Sequence, residues 1–119
     1  MRRMKSGFFP KAMKTKKLLF LGDFVDRGPA SLEVALYVMT LKVLYPGHVH
    51  LLRGNHETDP VSQDYGFKAQ CQALFGTTRG NRVWWMVGRV FDDLPLAAVV
   101  DGKIFCSHGG IPQGEDGDD

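Results

Sequence analysis

The strongest constraint on the fold is a pattern that occurs three times, in which an apolar or alternating run ends at a glycine-flanked polar cluster. The runs cover residues 17–21, 48–53 and 103–106, and the polar clusters cover residues 22–28, 53–57 and 107–110. Short runs of this kind indicate strands. Because α/β sheets bind ligands at the carboxyl ends of their strands, the three clusters predict a functional site there. Glycine beside each polar group lets the backbone approach a ligand closely.

The segments between these strands predict helices. Residues 31–45 carry apolar side chains at the helical spacing i, i+4, i+7 and i+11, and residues 62–75 and 82–92 are predicted as two further helices. Asp101-Gly102 predicts a hairpin turn between strands at 96–100 and 103–106. The resulting order β-α-β-α-α-β-β predicts the α/β class, with helices layered against a sheet.

The composition is that of an ordinary globular protein. With 119 residues, 44% hydrophobic and 24% charged, the chain forms one domain at most. No apolar run approaches the roughly 18 residues that cross a bilayer, so we expect no membrane span. Cys71 and Cys106 form no metal or disulfide motif. Reduced thiols in an intracellular compartment, cytoplasmic or nuclear, are therefore expected.

Charge is concentrated at the two ends of the chain. Residues 1–16 are basic without an acidic side chain, and residues 113–119 are acidic. We expect a disordered basic leader at 1–16, a folded domain at 17–112 and an acidic tail at 113–119. The slightly acidic middle suits a cation-binding core and argues against a nucleic-acid partner.

Three residues in the polar clusters are candidate metal ligands. Asp23, Asn55 and His108 supply a carboxylate, an amide oxygen and an imidazole. This mixed set suits Mn²⁺, Fe or Zn²⁺ better than Ca²⁺, which prefers oxygen ligands throughout. An aspartate after a strand is usually a turn or helix cap, and a histidine near glycine usually a surface residue. Three such residues in order, each after a strand, favour a metal site.

The same clusters contain candidates for proton transfer and phosphate binding. Asp26 and His56 are predicted to form an oriented carboxylate–imidazole pair for proton transfer. Arg27 and Arg53 offer planar guanidinium groups that match phosphate oxygens.

These clusters resemble the motifs of a known family. Residues 22–28 (GDFVDRG) are similar to GDxVDRG, residues 54–57 match GNHE, and residues 108–110 match HGG. The chain thus resembles the phosphoprotein phosphatases, serine/threonine phosphatases of the calcineurin-like metallophosphoesterase superfamily, from about residue 17 to 112. The segment 56–67 is similar to the tetratricopeptide-linked subgroup. The resemblance implies part of a sandwich in which helices flank mixed β-sheets.

The resemblance also implies residue roles. Asp23 would bridge two divalent metal ions, Asn55 and His108 would bind the second ion, and Asn55 would also contact the phosphate. Arg27 would hold the substrate phosphate, while His56, oriented by Asp26, would protonate the leaving oxygen. The implied reaction is phosphomonoester hydrolysis of a phosphoprotein, with regulatory subunits as candidate partners.

The resemblance is partial. The family has an upstream GDxHG motif, and nothing like it precedes Lys17; a further metal-binding histidine and a second phosphate-binding arginine would lie beyond residue 119. We therefore expect an incomplete catalytic domain with at most one partly formed metal site, and apolar faces exposed at 18–21 and 49–52. Two alternatives stay open: an inactive remnant that binds phosphoproteins or subunits, and a small-molecule phosphoesterase acting on dinucleoside polyphosphates.

Overall fold

The computed structural model describes residues 16–111, which contain both strands and helices. In chain order the elements are β1 (Leu18–Phe20), α1 (Ser31–Leu44), β2 (Val49–Leu51), α2 (Asp59–Asp64), α3 (Phe67–Phe75), α4 (Thr77–Asp92), β3 (Ala97–Val100) and β4 (Ile104–Ser107). This order confirms the α/β class. Most of the predicted leader and the whole acidic tail lie outside the described residues, so the domain bounds at 17 and 112 stay predictions.

The unit formed by β1, α1 and β2 sets the position of the polar clusters. The two strands pair in parallel, with Leu18 opposite Val49 and Phe20 opposite Leu51. α1 connects them and buries one stripe of its surface, at Ser31, Leu32, Ala35, Val38 and Leu41. This spacing of three and four residues is one face of a helix. Because both strands run in the same direction, the loops that follow them leave the same edge.

The prediction of one continuous helix over residues 62–75 is wrong. The chain forms α2 and α3, which are separated at Tyr65 and Gly66. Gly66 has a φ of +122°, in a region that glycine enters without the strain a side chain would bring. α2 also begins earlier than predicted, at Asp59, with Pro60 in its first turn, where a missing N–H leaves no helical bond unmade.

α4 begins at Thr77 rather than at residue 82. Apolar spacing did not predict this first turn, because the turn packs against α3 without any apolar side chain. Gly80 is buried there, and a Cβ on it would lie 2.5 Å from the Cys71 carbonyl oxygen. Further along, the buried rings of Phe67 and Phe91 lie 6.3 Å apart between their centroids. The contact between these two helices therefore depends on a small residue that apolar periodicity does not detect.

Exposed apolar side chains are prominent on the β3–β4 hairpin, an antiparallel pair, where Val99, Ile104 and Phe105 are all more than half exposed. The expectation of an exposed apolar face at 49–52 is wrong, since Val49 and Leu51 belong to the core that α1 covers. Leu18 and Leu21, at 37% and 47% exposure, do face solvent as expected. Of the helices within residues 16–111, none combines the length and hydrophobicity needed to cross a bilayer.

The two free cysteines should differ in reactivity. Cys71 is buried and burial raises its pKa to about 11, whereas Cys106 is partly exposed. We expect a disulfide reagent at pH 8 to label Cys106 in the native chain and to label Cys71 only after unfolding. Because the raised pKa favours the neutral thiol in the folded state, Cys71 should lower the free energy of unfolding only above its ordinary pKa of 9.0.

Counting modified thiols before and after denaturation measures this difference. The variant Cys106→Ser is the control, and it should show no labelling in the native state. Equal labelling rates for the two thiols would contradict the burial of Cys71.

Candidate metal and phosphate site

The loop that follows β1 has an unusual backbone. Its φ angle is +57° at Asp23, +71° at Asp26 and +57° at Arg27, all in the left-handed region. Aspartate tolerates this region, but for most other residues the conformation costs about 1–3 kcal/mol and persists only where the surrounding structure imposes it. One restraint is the Asp26 N–H, which donates to Ser31 Oγ at 3.0 Å. The loop is thus held in a strained shape that directs several polar side chains to one place.

The carboxylate of Glu57 joins this loop to the loop that follows β2. Its Oε2 accepts the N–H groups of Asp23 at 2.7 Å and Gly54 at 2.8 Å, and its Oε1 accepts that of Phe24 at 2.6 Å. Glu57 is 0% exposed, and three donors to an ionised carboxylate offset the cost of burying it. The sequence alone assigns Glu57 no role, because an acidic residue beside a candidate site fits a surface position equally well.

Two glycines allow the loops to touch. A Cβ on Gly22 would lie 2.6 Å from the Gly54 Cα, and a Cβ on Gly54 would lie 2.6 Å from the Asp23 nitrogen and 2.7 Å from Glu57 Oε2. All three distances are far below van der Waals contact, so any side chain at either glycine would force the loops apart. The close approach brings the clusters after β1 and β2 into a single site.

The three predicted metal ligands meet at the ends of β1, β2 and β4. His108 Nε2 lies 3.0 Å from Asn55 Oδ1 and 3.3 Å from Asp23 Oδ1. The other ring nitrogen, Nδ1, lies 2.8 Å from the Leu21 carbonyl oxygen. A carbonyl only accepts hydrogen bonds, so this nitrogen carries a proton and donates it. Three segments that are far apart in the chain therefore direct polar atoms to one point.

This set of atoms fits a divalent cation. With one proton on Nδ1, the neutral form of the His108 ring would present a lone pair at Nε2 to two oxygens that are also acceptors. Facing acceptors repel one another unless a cation or a proton lies between them. The bond to the Leu21 carbonyl is of the kind that orients metal-binding histidines. Residues 16–111 contain no metal-holding group of three His, Cys, Asp or Glu side chains, so a metal site at this point would need the amide of Asn55 as its third ligand.

Asp26 and His56 form the predicted carboxylate–imidazole pair. His56 Nδ1 donates to Asp26 Oδ2 at 2.7 Å, and the two side chains are 7% and 0% exposed. Asp26 Oδ1 accepts the Phe67 N–H at 2.8 Å, which fixes the carboxylate from its other side. The backbone N–H of His56 donates to Asp23 Oδ1 at 3.2 Å, so the Asp26–His56 pair adjoins the three candidate metal ligands. Nε2 is the ring nitrogen left for a substrate.

The two arginines predicted to bind phosphate have different surroundings. Arg53 Nε donates to the Glu57 carbonyl at 2.9 Å, and its Nη2 pairs with Asp92 at 2.5 Å. Its guanidinium is therefore engaged in joining the loop after β2 to α4. Arg27 is exposed, and its guanidinium lies 5.5 Å from the centroid of the Tyr65 ring. A cation over an aromatic face keeps its N–H groups available for an anion.

Comparison with known proteins identifies the family. Residues 5–119 match the family described as calcineurin-like phosphoesterase. The chain belongs to this family. Calcineurin-like phosphoesterases are metallophosphoesterases, and the family therefore implies divalent metal ions, in agreement with the atoms that meet at His108.

The relatives of this calcineurin-like phosphoesterase are protein phosphatases. It is 46% identical over 106 residues to serine/threonine-protein phosphatase SIT4 of Candida albicans, covering 89% of this chain and 33% of SIT4. It is 48% identical over 94 residues to the PP2A-like serine/threonine-protein phosphatase PPG1 of Saccharomyces cerevisiae, covering 78% of this chain and 25% of PPG1.

A solved structure confirms the predicted partial calcineurin-like fold. This structure is of a protein serine/threonine phosphatase from Saccharomyces cerevisiae described as similar to human phosphatase PP5. It matches with a TM-score of 0.75 and 42% identity over 81% of this chain and 29% of that chain. The chain thus spans between 25% and 33% of the length of these proteins. Membership of the tetratricopeptide-linked subgroup stays a prediction.

The contact between the loops makes Gly54 sensitive to substitution in this phosphoesterase. We expect Gly54→Ala to lower the free energy of unfolding by about 1–3 kcal/mol, as overpacking of a filled site does. Urea denaturation measures the change. The matched control is Gly47→Ala, where a Cβ meets nothing within 4 Å, and equal stability of both variants would contradict the close approach.

The Glu57 carboxylate is expected to stabilise the fold. In Glu57→Gln the amide has one acceptor oxygen instead of two, and its NH₂ group faces backbone donors. We expect a loss of about 1–3 kcal/mol in the free energy of unfolding, the cost of unsatisfied buried groups. Glu33→Gln, on the exposed face of α1, is the control in the same urea titration. A Glu57→Gln variant as stable as this control would refute the bridging role.

Proposed function

We propose that this chain carries part of the catalytic centre of a metal-dependent serine/threonine protein phosphatase. The observation that carries the proposal is the contact between two sets of groups: the acceptors of Asp23, Asn55 and His108, and the buried Asp26–His56 pair. The backbone N–H of His56 and the imidazole of His108 both reach the same oxygen, Asp23 Oδ1, at 3.2 and 3.3 Å. A phosphate bound beside Asp23 would lie between the groups suited to hold a cation and the Asp26–His56 pair.

The first set would hold one divalent ion, of Mn²⁺, Fe or Zn²⁺ type. When bound, such an ion would supply positive charge to the phosphate and lower the pKa of a water molecule that attacks phosphorus. Three protein ligands, Asp23, Asn55 and His108, make a partial site, so we propose at most one ion for the described residues. Asn55 Oδ1 faces this point, and its NH₂ group is suited to donate to a phosphate oxygen.

The second set would handle the proton. Asp26 fixes the His56 ring through Nδ1, so that Nε2 is directed away from the carboxylate. In its imidazolium form, His56 would give the Nε2 proton to the leaving serine or threonine oxygen and become a neutral imidazole. A neutral alcohol is a far better leaving group than an alkoxide. Arg27 would bind the phosphate oxygens, since its exposed guanidinium has no carboxylate partner within residues 16–111.

The names of SIT4 and PPG1 support protein substrates phosphorylated on serine or threonine. Regulatory subunits are proposed from the family resemblance alone, and a cytoplasmic or nuclear location from the two free thiols. The chain spans a third or less of the length of these relatives, so the activity of the whole protein is part of the proposal.

The direct test is Mn²⁺-dependent phosphate release from a phosphoserine or phosphothreonine peptide. We expect release by the native chain, a loss of about 10²–10⁴-fold in His56→Ala, the usual contribution of a general acid, and loss of the Mn²⁺-dependent release in Asp23→Asn. His50→Ala and Asp64→Asn, at exposed positions, are matched controls and should retain activity.

Other results would replace the proposal with one of its alternatives. Retention of the phosphopeptide without release, dependent on Arg27, would indicate a binding module. Hydrolysis of a dinucleoside polyphosphate in preference to the phosphopeptide would indicate a small-molecule phosphoesterase.

A further inference from the structure

The break between α2 and α3 is not imposed by local packing. Gly66 takes its φ of +122° although a Cβ on it would meet nothing within 4 Å. A glycine forced by crowding would have close neighbours, as Gly54 does. The break must instead be stabilised by contacts that Tyr65 and Phe67, the residues on either side of Gly66, make with other parts of the chain.

The break releases two backbone groups, and the loop after β1 uses both. In a continuous helix the Phe67 N–H and the Tyr65 carbonyl would bond within the helix. Here the Phe67 N–H donates to Asp26 Oδ1 at 2.8 Å, and the Tyr65 carbonyl accepts the Arg27 N–H at 3.4 Å. Two consecutive residues of the candidate site are therefore held by the two residues that flank Gly66.

The ring of Tyr65 contacts the side chains of the same site. It meets the His56 ring edge-on, with centroids 5.4 Å apart at 82°, and the Arg27 guanidinium lies 5.5 Å from its centroid. Tyr65 remains 54% exposed, so hydrophobic burial does not account for its position. One aromatic ring thus touches both the proposed phosphate ligand and the proposed proton donor.

The position of the Arg27 side chain depends on the ring of Tyr65, whereas that of Arg53 is fixed by other contacts. The Arg53 guanidinium has a carboxylate and a carbonyl as partners. Among residues 16–111, the ring of Tyr65 is the one partner of the Arg27 guanidinium. Without the ring, the long side chain of Arg27 would sample many rotamers in solvent, and binding an anion would carry the cost of ordering it.

We propose that Tyr65 is a positioning residue whose ring aligns the Arg27 guanidinium with the His56 imidazole, ready for a phosphate group. This inference rests on the proposed function for the identity of the ligand, but not for the geometry. Because the aromatic face makes the contact with Arg27, phenylalanine at position 65 should preserve the alignment and an aliphatic residue should not.

Nuclear magnetic resonance of the ligand-free 119-residue chain tests the geometry. We expect Tyr65→Leu to shift the His56 ring protons and the Arg27 Nε–H signal, because the ring current and the cation–π contact are lost. Tyr65→Phe should leave both signals close to those of the native chain. Tyr37→Leu is the matched control, since Tyr37 is 51% exposed on α1, and circular dichroism verifies that each variant is folded. Unchanged signals in folded Tyr65→Leu would overturn the proposal, as would equal shifts in Tyr65→Phe and Tyr65→Leu.

Titration with inorganic phosphate separates the positioning role from the proposed function. We expect Tyr65→Leu to weaken phosphate binding about two- to fivefold, the effect of losing an exposed cation–π contact, and Tyr65→Phe to bind as the native chain does. If Arg27→Ala binds phosphate as well as the native chain, the proposed phosphate site is wrong, while the resonance shifts still decide the role of Tyr65. Unweakened binding in Tyr65→Leu, with Arg27→Ala impaired, would overturn the positioning role alone.

Discussion

The site depends first on one buried carboxylate. β1 and β2 are each three residues long, and such a short parallel pair makes few hydrogen bonds of its own. The Glu57 side chain extends their association beyond the strand ends by accepting three backbone N–H groups from the two loops. Its Coulombic and hydrogen-bonding gain must exceed the cost of removing a charge from water, which three short bonds make feasible. Gly22 and Gly54 provide the space for this arrangement.

The candidate metal ligand His108 and the candidate acid–base pair Asp26–His56 are fixed by different numbers of contacts. Asp26 and His56 are buried beside α3 and are fixed by side-chain and backbone bonds. His108 comes from the end of a hairpin whose apolar side chains face solvent, and it is joined to the loop after β1 through a bond to the Leu21 carbonyl. Segments with few buried apolar contacts open more readily than the core. The position of His108, one of the three candidate metal ligands, therefore depends on the hairpin, whereas the positions of Asp26 and His56 do not.

Much of the site could be predicted because its components are local. Asp23 and Asn55 follow the parallel strands β1 and β2, whose carboxyl ends lie at one edge. His108 also follows a strand, but β4 belongs to the separate antiparallel pair. The pairing of Asp26 with His56 followed from the same reasoning together with the chemistry of the two side chains. Arg53 shows the limit of prediction from local sequence. Its charge and position suit phosphate, but Asp92, 39 residues further along the chain, binds its guanidinium.

The sequence by itself determined the α/β class, the strand ends and the identity of the residues that cluster there, because apolar periodicity and glycine act over a few neighbouring positions. Only the tertiary structure decided that Glu57 bridges the loops, that α2 and α3 separate at Gly66, and that Tyr65 faces Arg27. The bonds from the Asp23 N–H to Glu57 and from the Phe67 N–H to Asp26 join residues 34 and 41 positions apart. Contacts over such separations leave no periodic trace, so they arise only when the chain has folded.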